Sequence, residues 1–162
     1  RLALAALVCG ATLAAPAMAD PPETATKLTF VADQDTAVIF FAPSTITRTP
    51  EGIDVWVARL NISPVEVQGR RVVGAWIYQR FDCKASTFAP LELAALDMNL
   101  VAVYSTNPEP TPKPVPKGTP NEVLFKHLCA KAAIGSGQPV QADLQSAVRF
   151  AQARGAGEAK KP

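Results

Sequence analysis

The sequence predicts an α+β domain: an antiparallel β-sheet of about six strands, a C-terminal helix packed on one face of it, and a second C-terminal helix. Three observations lead there. Six β-rich segments follow one another at hairpin spacing with no helical pattern between them. A proline-rich stretch at 107–118 then ends the strand pattern. Beyond it, apolar residues recur twice at helical spacing.

Residues 1–19 read as a secretory signal. One basic residue and an apolar run lead to Ala17-Met18-Ala19, a small-residue cleavage pattern, before Asp20. An alternative for the same stretch is lipid attachment at Cys9, although bulky Val8 precedes it. Residues 20–26, DPPETAT, form a flexible leader. Strands are expected at 27–32 and 36–41, joined by a turn. A polar connection at 42–52 carries one helical turn at Ser44 to Ile46. The next strand, 53–60, places Val55, Val57 and Arg59 on one face and Trp56, Ala58 and Leu60 on the other.

NISPVEVQGR, 61–70, contains a proline and a glycine and reads as a long hairpin connection. The longest strand, 71–83, places Val73, Ala75, Ile77, Phe81 and Cys83 on one face, with Gly74, Trp76, Tyr78, Arg80 and Asp82 on the other. Strands at 87–96 and 100–106 complete the meander. In 107–118 proline occupies every second position from Pro108 to Pro116, so this chain runs extended. At ~3.1 Å per residue, nine residues reach roughly 28 Å, enough to return across a sheet.

Thr119, Pro120 and Glu122 supply the cap, first position and third position of a helix. Its apolar arc holds Leu124, Phe125, Leu128, Cys129 and Ala132. After a GSG break, 139–154 repeats the helical pattern with Val140, Leu144, Ala147, Val148 and Ala151, and Gly155 is placed to end it. The organisation expected is thus a domain at 27–134, an additional helix at 135–154 and a disordered tail at 155–162.

Charge and cysteine usage narrow the function classes. Without Arg1, 15 basic side chains face 14 acidic ones, a balance that gives no electrostatic reason to expect nucleic acid. No stretch after residue 19 approaches about 18 uninterrupted apolar residues, so a membrane role enters only through export or lipidation. Removing 1–19 leaves Cys83 and Cys129, and an even count in an exported chain favours a disulfide. Two buried free thiols, or part of a metal set, are the alternatives. A lone His with two distant Cys makes a poor zinc set. A bridge would close a loop of about 47 residues, worth roughly 4 kcal/mol in the chain-entropy model.

No catalytic, metal or cofactor set emerges. His127 is the sole histidine and has no paired nucleophile, and Glu92 and Asp97 carry no mark of an acid–base pair. Trp76, Tyr78 and Arg80 share a strand face and could anchor a partner. Alternatively that face is covered by the second helix or packs with Trp56.

Three stretches together resemble the surface-adhesin protein E-like domain family of Gram-negative bacteria: VIFFAPSTITRTPEGIDVWVARL, YQRFDCKASTF and PVPKGTPNEVLFKHLCA. The resemblance covers roughly residues 27 to 131, and the second helix lies beyond it. It implies an antiparallel sheet with a C-terminal helix, exported to the periplasm or outer-membrane surface. The namesake is an outer-membrane adhesin for host matrix and serum proteins. The expected function is therefore a non-enzymatic envelope protein whose partner is a host matrix or envelope protein. The alternative is a periplasmic structural or accessory subunit whose extra helix docks on a partner.

Overall fold

A computed structural model describes residues 20–24, 26–134 and 141–158. Residues 1–19, with the expected signal and Cys9, lie outside the described residues. Nine strands in this range join one antiparallel sheet: β1 (Leu28–Gln34), β2 (Ala37–Phe41), β3 (Thr47–Thr49), β4 (Gly52–Val67), β5 (Arg70–Asp82), β6 (Thr87–Asp97), β7 (Ala102–Thr106), β8 (Lys113–Pro114) and β9 (Gln141–Ala142). The order β7-β6-β5-β4-β2-β1-β9 follows the chain through the six expected strands, so the sheet is the meander that hairpin spacing predicts. The other three strands are two or three residues long and pair at its margins.

Two helices sandwich this sheet. Helix α1 (Pro120–Ala130) lies on one face, where Leu124 and Leu128 meet Val31, Ile39, Phe41, Ile53, Val55, Val57 and Phe81. Helix α2 (Leu144–Glu158) lies on the other, where Leu144, Ala147, Val148 and Ala151 meet Val38, Phe40, Trp56, Leu60 and Trp76. Strict alternation along β2 and β4 feeds both cores, which is why neither strand reads as half-polar. The second helix is thus built into the domain. Its apolar side packs on its own sheet, so only its outer, polar side faces away from the domain.

Several expectations change. The expected connection 61–70 is mostly strand: β4 continues to Val67 through a register shift between Leu60 and Val65. Its turn is only Gln68-Gly69, with φ of 50° and 74°, the left-handed pair a two-residue hairpin demands. The irregularity absorbs Pro64, which would otherwise break a ladder. Val73 belongs to the α2 side, because the β5–β6 register shifts between Val72 and Gly74.

The proline-rich chain does not return across the sheet. It runs along the outer edge of β6, which pairs first with β7 and then, at its other end, with β8. Helix α1 makes the crossing instead. Helix α2 also outruns its expected end, reaching Glu158, so 155–158 is helix rather than tail. Gly155 serves close approach: a Cβ there would sit 2.7 Å from the Ile62 carbonyl oxygen of β4.

Candidate functional site: the uncovered half of the α1 face

Helix α1 is positioned from both ends. Thr119 caps it, its hydroxyl accepting from the Glu122 amide at 3.4 Å, while a Glu122 carboxylate oxygen accepts from Gly118 at 2.7 Å. Asn121 accepts from the buried Gln79 side chain of β5 at 3.3 Å. At the far end Cys129 is joined to Cys83 by a disulfide, with Cα atoms 5.5 Å apart. Cys83 lies just past β5 in an exposed turn rather than on the strand's apolar face. The bridge therefore fastens the helix end to the rim of the sheet. His127 sits beside this joint, its Nδ1 2.8 Å from the Ala132 carbonyl oxygen and its ring edge-on to Phe41.

So held, α1 covers β1, β2 and the near halves of β4 and β5, and leaves the rest of the face open. The cross-strand register lays out that open half in rows. Arg59, Ala75, Ala95 and Tyr104 are successive partners across β4, β5, β6 and β7. Val57, Ile77, Leu93 and Thr106 form the next row. Ile77 and Leu93 are partly exposed, and Val65 and Tyr104 are exposed, at 47% and 45%. Two depressions adjoin here, of about 560 and 340 Å³, and both are lined by Arg59. Apolar residues exposed together on a sheet mark a contact surface more often than scattered ones do.

The patch expected at Trp76, Tyr78 and Arg80 is on the opposite face and needs correction at its centre. Trp76 is 1% exposed, edge-on to Trp56 at 6.3 Å within the α2-side core, and no partner can reach it. Tyr78 stacks on Trp56 at 5.0 Å and stays partly exposed. Arg80 makes two 2.7 Å bonds to the buried Asp54 carboxylate. Burial first, and the Asp54 charge second, push the Tyr78 phenol above its ordinary value. The Asp54 hydrogen bond raises Arg80 further. Arg80 is thereby occupied in holding β5 to β4.

The open half-face was legible only in part. Val55, Val57 and Arg59 do share a face, as alternation requires, but where α1 would land along it is a tertiary outcome. Ala75 and Ala95 give the signal that could have found the floor: small residues side by side on a β-sheet face leave room above them.

Among the described residues, no three His, Cys, Asp or Glu side chains gather as a metal set. No helix among them is long and apolar enough to cross a membrane. No curated protein and no solved structure matches the chain. The family model of surface-adhesin protein E matches residues 28–130, from the first residue of β1 to the last of α1. The sheet apart from β9, the proline-rich edge, α1 and the disulfide all fall within that match, and the chain belongs to the surface-adhesin protein E family.

Proposed function

We propose that the protein is an exported cell-envelope factor that acts by binding another protein, a host matrix protein foremost, rather than by catalysis. The observation that carries this reading is the uncovered half of the α1 face, with Ile77, Leu93, Val65 and Tyr104 accessible on a rigid sheet. Family membership supports it, because an adhesin family points to surface contacts and away from chemistry. The disulfide supports an oxidising compartment.

Two experiments test the reading together. The disulfide-bonded protein is presented to a panel of host matrix proteins and to envelope extract, and intact cells are shaved with protease. Saturable capture of a matrix protein and release of the chain by shaving are expected. An empty panel with a chain that shaving leaves intact would overturn the adhesin reading and favour a periplasmic accessory subunit.

A further inference from the structure

One charged side chain lines the two depressions of the open half-face: among their lining residues, Arg59 alone is ionisable. It is held rather than loose: one terminal nitrogen donates to Asn61 Oδ1 at 2.8 Å and the other to Thr36 Oγ1 at 3.2 Å. Those two contacts engage two of the five N–H donors of a guanidinium. Among the described residues no carboxylate lies within salt-bridge distance of it, whereas Arg80 meets Asp54 and Arg154 meets Asp33. The other positive feature nearby, the start of α1, already carries the Glu122 carboxylate in its first turn.

A partly buried, oriented cation with open donors and no counter-charge, set in apolar walls, is a receptor for a carboxylate. The surroundings specify more. Opposite Arg59 the floor is Ala75, followed by Ala95 and then the exposed Tyr104 ring. Partly exposed Ile77 and Leu93 lie alongside. The lining runs along β5 from Gln79 to Val72, roughly 23 Å at about 3.3 Å per residue. That length fits an extended peptide better than a compact small molecule.

The geometry points to a binding groove for an extended peptide segment of a partner protein, in which an acidic side chain flanked by apolar residues pairs with Arg59. This deepens the protein-binding reading above and rests on it.

The test screens a random peptide library on the full, disulfide-bonded chain, with octanoate titrated separately as a free carboxylate. Enriched peptides carry Asp or Glu between apolar residues. Their affinity falls at least tenfold for Arg59→Gln and only a few fold for Arg59→Lys. Ala75→Glu provides a second route that keeps the arginine in place. Facing Arg59 in register, the new carboxylate occupies it from within and abolishes peptide binding while melting stays close to that of the parent chain.

Enriched peptides without an acid, equal binding to Arg59→Gln and the parent, or no enrichment would each overturn the groove. Octanoate binding without peptide binding would overturn it in favour of a small carboxylate. If a matrix protein is captured equally by the parent and Arg59→Gln, the groove falls but the protein-binding reading stands. If neither captures a protein from the matrix panel or the envelope extract and no peptide is enriched, both fall.

Discussion

Asp54 shows how little separates a structural charge from a functional one. It is 3% exposed on the α2 side of β4, and its two oxygens are satisfied by one guanidinium. Arg80→Ala would strand that carboxylate, and a stability loss of about 3 kcal/mol is expected in chemical denaturation. Asp54→Asn combined with Arg80→Met should recover most of it, since neither residue is left charged and buried. The neighbouring Tyr78 adds a pH signature. Its phenol titrates higher when folded, so its contribution is intact below the unfolded value near pH 10 and is lost as pH rises through the folded value. Denaturation followed across that window should show stability falling, and Tyr78→Phe should remove that component.

Each helix depends on one point where the sheet comes unusually close. For α2 the point is Gly155 against Ile62. Gly→Ala in an exposed helix stabilises by up to about 1 kcal/mol. Here the added methyl meets a backbone oxygen, and Gly155→Ala should instead cost about 1–3 kcal/mol. A gain would mean that α2 stands off β4. For α1 the point is the disulfide. Replacing Cys83 and Cys129 together with Ala should cost roughly 2–4 kcal/mol, less than full loop closure predicts if the reduced chain retains structure.

Alternation and turn chemistry made six strands and both helices readable from the sequence, because each buries a face whose period is local. Three features were not readable. Pro64 reads locally as a break, yet a register shift absorbs it within β4. Pro108 to Pro116 read as a crossing, yet an extended chain can equally follow an edge. Gly155 reads as a stop, because its close neighbour lies in a distant strand. In the site, Trp76 read either as an anchor for a partner or as covered by the second helix and Trp56, since alternation marks a face without saying what covers it.

At the scale of the whole molecule, the sheet is covered unequally. Helix α2 brings Leu144, Ala147, Val148 and Ala151 to one side, while α1 leaves the β5–β6–β7 part of the other side open. That asymmetry gives the chain a rigid, apolar platform with a single oriented cation, built on strands rather than on loops. A platform of this kind binds with little ordering cost, because strand side chains are already fixed by their neighbours. It also predicts which side a partner touches.

Oxidative footprinting of the disulfide-bonded chain, alone and with whichever protein the matrix panel or envelope extract yields, reads this most directly. Tyr104 reports on the open half-face and Met98, 50% exposed beside the α2 crevice, reports on the opposite side. The account predicts that the partner shields Tyr104, together with Leu93 and Ile77, and leaves Met98 as reactive as before. Shielding of Met98 and the outer surface of α2, with Tyr104 unchanged, would contradict it.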